Sequence, residues 1–209
     1  AFVWVAFYSG NEGSLLYIVL ALSIMSALAI WFAPRRMERS MPWTIAVLAV
    51  VQLFYFFVLI FFASPFELLD VIPEEGRGIN PLLTHPGMFS HPPMLMGGLI
   101  AITIPFAFAS GALISGNYGD DWVDVARVSA ILAWGVLGTG MLIGAWWAYT
   151  ILGWGGYWGW DPIENVALMP WLVLTAFIHS IMVQKRRGMF RMWNVALLNI
   201  AFVLAQLGM

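Results

Sequence analysis

Long apolar runs constrain this chain more than any other feature. Residues 14–33, 42–63, 92–115, 125–149 and 166–183 each approach the ~20 apolar residues that a helix needs to cross a bilayer core. A sixth run, 192–209, is slightly short and reaches the end of the sequence. Of the 209 residues, 62% are hydrophobic and only 10% charged, and the mean hydropathy is +0.86. A soluble globular domain is excluded on that balance. The fold class expected is all-α, a polytopic transmembrane helix bundle with about six spans.

Helical periodicity helps little here, because a helix surrounded by lipid and other helices is apolar all round. Length and flanking residues decide the boundaries. Ala33-Pro34-Arg35-Arg36 stops the first span, and Met41-Pro42 opens the second where proline is tolerated. Ser90-His91-Pro92-Pro93 opens the third, and Lys185-Arg186-Arg187-Gly188 ends the fifth. With alternating spans, Arg35, Arg36, Arg39, Arg127, Lys185, Arg186, Arg187 and Arg191 share one side, leaving Arg77 alone on the other. The positive-inside rule makes the first side cytoplasmic. The acidic stretch 116–124 cuts weakly against this, but acidic residues carry little weight in the rule. Segments 1–13, 64–90 and 150–163 then face outward. Both ends of the sequence lie in apolar stretches, so it reads as part of a longer polytopic protein.

The chain has no cysteine, which excludes disulfides, thiolate metal sites and a cysteine nucleophile. Its chemistry must come from the outward segments and from three histidines.

The outward segment after the fourth span reads Trp154-Gly155-Gly156-Tyr157-Trp158-Gly159-Trp160-Asp161-Pro162-Ile163-Glu164-Asn165. Trp146, Trp147 and Tyr149 precede it and Trp171 follows. An interfacial aromatic belt accounts for one or two such residues per helix end. It does not account for three tryptophans and a tyrosine within seven residues, interleaved with glycine. Glycine lets the backbone approach a ligand, and aromatic faces offer a flat surface at low entropic cost. A platform for a planar aromatic guest is the favoured reading, built from Trp154, Gly155, Gly156, Tyr157, Trp158, Trp160 and Asp161. Asp161-Pro162 and Glu164-Asn165 also fit a helix N-terminus, and capping is the favoured role for Asp161 and Glu164.

His91 precedes Pro92-Pro93, which biases its backbone away from helix. That places its imidazole at the outer rim of the third span, as an iron ligand or as a plain loop polar group. His85, within Thr84-His85-Pro86-Gly87, sits in a turn-rich stretch and reads as structural. His179 lies inside the fifth span, where an ionisable group is costly and faces a partner or cofactor. Ligation of a membrane b-type haem is one reading, and a hydrogen bond to Thr175 or to a neighbouring helix is the other. His179 lies about 22 Å along the helix from Glu164, too deep to share one iron with His91.

WGGYWGWDPIEN closely resembles the Trp-rich WWD signature of haem-handling proteins in cytochrome c biogenesis. Three groups carry it: CcmF/NrfE-type haem lyase subunits, CcsA-type synthetases and CcmC-type delivery proteins. Tyr8-Ser9-Gly10-Asn11-Glu12-Gly13-Ser14-Leu15-Leu16, Asn80-Pro81-Leu82-Leu83 and His91-Pro92-Pro93-Met94-Leu95 resemble segments of the first group. So do Ala145-Trp146-Trp147-Ala148-Tyr149 and Met169-Pro170-Trp171-Leu172. The sequence departs from the common pattern at Tyr157, where tryptophan is usual, and at Gly159, where a bulky aromatic is usual.

The resemblance implies a membrane haem lyase subunit. Haem brought by a haem chaperone rests over the WWD segment and is joined by thioether bonds to the Cys-x-x-Cys-His thiols of an apocytochrome c. It implies His91 as a ligand of the transferred haem iron and His179 as a ligand of a resident b-type haem, with second ligands from later spans. It implies other cytochrome c maturation subunits as partners, and no catalytic residue is assigned; as a separate hypothesis, a resident haem deep in the membrane could pass electrons from quinol to the haem above. Membrane lipid surrounds the chain and no nucleic acid is expected. The implied location is a bacterial-type inner membrane, with the WWD segment on the periplasmic side. The organisation expected is an outer-face segment at 1–13, two spans over 14–63, an outer loop with His91 at 64–91, and a haem-handling core at 92–209. A CcmC-like delivery or export protein and a b-haem anchor or transporter subunit are the alternatives.

Overall fold

The computed structural model describes residues 3–67, 74, 78, 80–117, 119–153 and 156–209. Among them every regular element is helical. The short helix α1, Val3–Ser9, leads into α2, Asn11–Trp31, and a 3-10 turn at Arg35–Met37 connects to α3, Met41–Phe61. Then come α4, Gly87–Ala101, α5, Thr103–Ile114, α6, Val123–Ile151, α7, Pro162–Arg187, and α8, Arg191–Leu207.

The expected single third span is two helices end to end. Pro105 has no N–H to give the Ala101 carbonyl, so the ladder breaks at Ile102, where the Ile102 N–H turns to Leu99 instead. Together α4 and α5 cover 28 residues and are the most deeply buried of the five segments long and apolar enough to cross a membrane. The shorter α8 packs against α7 and α5. The outer faces of α3 and α6 carry exposed Phe54, Phe57, Phe61, Leu132 and Leu142, as lipid-facing helices should.

Close approach between α4 and α6 organises the half of the bundle that carries His91. Gly98 leaves no room for a Cβ, which would stand 2.6 Å from the Leu137 Cα, and Gly140 meets the Leu95 backbone in the same way at 2.9 Å. Small residues at such crossings let backbones touch where lipid provides no hydrophobic drive. A second line joins α6 to α7. Trp134 and Trp171 stack at 5.0 Å, the Trp171 indole donates to the Trp134 carbonyl, and the Trp134 indole donates to Thr175 Oγ1 at 2.8 Å.

Polar side chains mark the two ends. Asp124 pairs with Arg36, Arg127 and Lys185, and Asp120 pairs with Arg191 and accepts from Gln184. The connections α2–α3, α5–α6 and α7–α8 therefore meet at one end. The acidic stretch that weakened the charge-bias argument is where Arg36, Arg127, Lys185 and Arg191 find their partners. Tyr8 donates to the Met88 carbonyl and His85 meets Thr150, so the chain start, the α3–α4 connection and the α6–α7 connection meet at the other. Arg77 lies outside the described residues.

Candidate functional site

At that second end α4, α6 and the start of α7 enclose a cavity of about 340 Å³. His91, Gly144, Trp147, Trp158, Asp161 and Glu164 are among its lining residues.

His91 is not extended as the following prolines suggested. It is the fifth residue of α4, and both prolines continue the helix. Pro92 and Pro93 have no N–H to give the Met88 and Phe89 carbonyls, and the Tyr8 hydroxyl donates to Met88 in place of the missing bond, at 2.8 Å. A second tertiary contact holds the ring: the His91 Nδ1–H donates to the Gly140 carbonyl on α6 at 2.8 Å. A carbonyl only accepts, so Nδ1 carries the proton and Nε2 keeps the free lone pair of the neutral ring. Gly144 makes this possible, since a Cβ there would stand 2.5 Å from the His91 Cε1. The Trp147 ring packs edge-on against His91 at 5.8 Å.

Gly140 and Gly144 are site residues that the sequence reading missed. The signal was present in Gly140-Met141-Leu142-Ile143-Gly144, a small-xxx-small spacing in a membrane helix.

The Trp-rich segment is held by the first turn of α7. The Asp161 carboxylate accepts the Glu164 N–H at 2.7 Å, and Glu164 Oε2 accepts the N–H groups of Asp161 and, at 2.8 Å, Gly159. These bonds form a reciprocal capping box, with Pro162 opening the helix, in line with the capping role read for Asp161 and Glu164. Asn165 Nδ2 adds a bond to the Trp160 carbonyl. These bonds clamp Trp160 at φ +55°, a left-handed conformation that costs a bulky residue about 1–3 kcal/mol. The Trp160 ring stays 68% exposed and meets Trp158 edge to face at 5.8 Å, while Tyr157 stacks on Tyr149 at 4.2 Å. Trp154 and Gly155 lie outside the described residues, and Gly156 lies in the irregular segment before Tyr157.

His179 is placed by its own helix. Its Nδ1–H donates to the Thr175 carbonyl one turn earlier at 2.8 Å, which leaves Nε2 as the nitrogen outside that bond. The side chain is exposed on the surface of α7, about 25 Å along the axis from Pro162 by the rise of an α-helix. His85 differs from both. Its Nδ1 accepts the Gly87 N–H at 3.0 Å, and its other nitrogen meets Thr150 Oγ1 at 3.3 Å. Neither nitrogen is left over, which matches the structural role read for His85 from sequence.

The arrangement defines a polytopic helical membrane protein. At one end it has an aromatic cavity with a tautomer-locked histidine, and it has a second such histidine deep on one span. Residues 8–209 match the Cytochrome C assembly protein family, and the chain belongs to it. It is 41% identical over 204 residues to the cytochrome c-type biogenesis protein CcmF of Pseudomonas aeruginosa, covering 97% of this chain and 31% of that one. It is 37% identical to the probable cytochrome c-type biogenesis protein NrfE of Escherichia coli, covering 97% and 37%. CcmF of Escherichia coli is 38% identical over 97% of this chain and 32% of its own length. The chain thus spans about a third of the length of these curated relatives. No solved structure matches it significantly.

Proposed function

We propose that this chain is the haem-handling part of a membrane haem lyase in cytochrome c maturation. In this reading haem is the substrate, held at the outer end with its iron on His91 and its plane against the Trp-rich segment. The observation that carries the proposal is the locked tautomer of His91. Neutral imidazole with Nδ1–H given to a backbone carbonyl is the usual state of an iron-ligating histidine, and here it lines a cavity together with Trp158.

The chain supplies orientation rather than bond-making groups. It has no cysteine, so both thiols come from the apocytochrome, each adding across one haem vinyl group to form a thioether with no net oxidation. Asp161 and Glu164 act through the backbone: they fix the turn that presents Tyr157, Trp158 and Trp160. A haem chaperone, an apocytochrome c and further maturation subunits are the partners this reading requires. The end rich in Arg and Lys faces the cytoplasm and the cavity end faces the periplasm, in a bacterial-type inner membrane.

His179 would hold the iron of a resident b-type haem through its free Nε2, since its ring is exposed on α7. Such a haem would pass electrons from quinol to the iron of the transferred haem and keep it ferrous.

Substituting His91 with alanine in the full-length protein and measuring holocytochrome c yield tests the proposal. Loss of yield with normal membrane abundance is the expected result. Unchanged yield removes the lyase reading and leaves a b-haem anchor built on His179. Haem released onto an acceptor without thioether formation points to a delivery protein instead.

A further inference from the structure

We propose that His85 is a positioning residue, which ties the start of α4 to the end of α6 so that Trp147 holds the His91 ring. This rests on His91 being the iron ligand, as proposed above. Helix α4 begins after Pro86, with no side-chain cap from that position. His85, one residue earlier, supplies the acceptor in its place through Nδ1, which takes the Gly87 N–H. That bond puts the proton of the neutral ring on Nε2, where it can only donate, and the recipient is Thr150 Oγ1 at 3.3 Å. The Thr150 hydroxyl in turn donates to the Trp146 and Trp147 carbonyls at 3.0 Å each.

The ring faces repeat the connection. His85 lies 4.7 Å from the Trp146 ring, and parallel to Trp147 within 2° at 6.2 Å. Trp147 then meets His91 edge-on, giving a series His85, Trp147, His91 that runs from the connection before α4 to α6 and back to α4. Its packing leaves no slack: a Cβ on Gly87 would stand 3.0 Å from the His85 Nδ1 and 3.1 Å from the Trp147 Cβ. Both terminal histidines are hydrogen-bonded and the tryptophan between them is wedged. Rotation of Trp147 is therefore coupled to the placement of His91. Outer partners of this kind set ligand orientation and affinity as strongly as many ligands do.

The test uses the full-length protein in membranes, loaded with haem, with His85→Ala, His85→Asn, Thr150→Val and His91→Ala compared. Haem content per protein, the electron paramagnetic resonance spectrum and the reduction potential of the outer haem are read. His85→Ala is expected to lower outer haem content about tenfold and to alter both the spectrum and the potential. Asparagine, whose side-chain oxygen can accept the Gly87 N–H, is expected to recover content to within about threefold. Thr150→Val should fall between them. Native content, spectrum and potential in His85→Ala would overturn the proposal. So would reduced protein abundance with an unaltered spectrum in the protein that remains, since that marks a role in folding alone. If His91→Ala loses the outer haem while His85→Ala does not, only the positioning role fails. If His91→Ala keeps the outer haem, the site reading fails as well.

Discussion

His91 and His179 make the same hydrogen bond and depend on different parts of the molecule for it. Each donates Nδ1–H to a backbone carbonyl at 2.8 Å, and each keeps Nε2 free. The acceptor for His179 is Thr175, one turn back on the same helix. For His91 it is Gly140, on a neighbouring helix that packs closely against α4 at Gly98, Gly140 and Gly144. A ligand of the first kind is in place as soon as its helix forms. One of the second kind exists only when two helices dock to within the width of a hydrogen atom. The outer site is accordingly the one that mutation away from the ligand can dismantle.

Removing each imidazole in turn should produce the largest effects and separate the two sites. His91→Ala is expected to lower outer haem by more than about tenfold while leaving the b-type absorbance, and His179→Ala should do the reverse. Optical and pyridine-haemochrome measurements on purified full-length protein check this. A single variant that removes both signals would break the comparison.

Gly144→Ala comes next. Its methyl would enter the space of the His91 ring, so outer haem should fall about tenfold with the His179 signal unchanged. Haem content like that of the unsubstituted protein would show that the ring can shift without cost.

Thr175→Val should leave His179 ligation alone, because the acceptor is the backbone carbonyl and survives the substitution. It deprives the Trp134 indole of its partner, at about 1 kcal/mol of stability, read as a lower melting temperature in detergent. Loss of the b-type signal here would show that His179 is not set by its own helix alone.

The smallest effect belongs to Asp161→Ala, which removes half of the capping box. A loss of about 0.5 kcal/mol is expected, seen as faster hydrogen exchange in the first turn of α7. Protection equal to the parent would mean that Glu164 and Asn165 hold the segment unaided.

Much of the bundle was legible because membrane helices announce themselves by length. The starts of α3 and α8 were placed within a residue, and the capping of α7 was read from Asp161, Pro162 and Glu164. For His179 the sequence left ligation, a bond to Thr175 and a bond to a neighbouring helix open, and the structure shows the bond to the Thr175 carbonyl. The local rule failed at His91. Two prolines argue for an extended residue before them, yet α4 continues through all three, because the Tyr8 hydroxyl gives the Met88 carbonyl a donor and α6 provides a carbonyl for the ring. The break at Ile102 was equally hidden, since its cause, Pro105, lies inside an unbroken apolar run.

The Trp-rich segment divides along the same line. Its composition showed that the place was unusual, and its acids showed how the next helix begins. That Trp160 is held left-handed, that Tyr157 lies on Tyr149, and that Trp158 shares a cavity with His91 are results of packing. Sequence alone determined most of the spans and the capping of α7, because those depend on length and on contacts within a few residues. Only the tertiary structure decided that Gly140 and Gly144 belong to the site. A glycine has no side chain to advertise its role, and its value lies in what the facing helix brings against it.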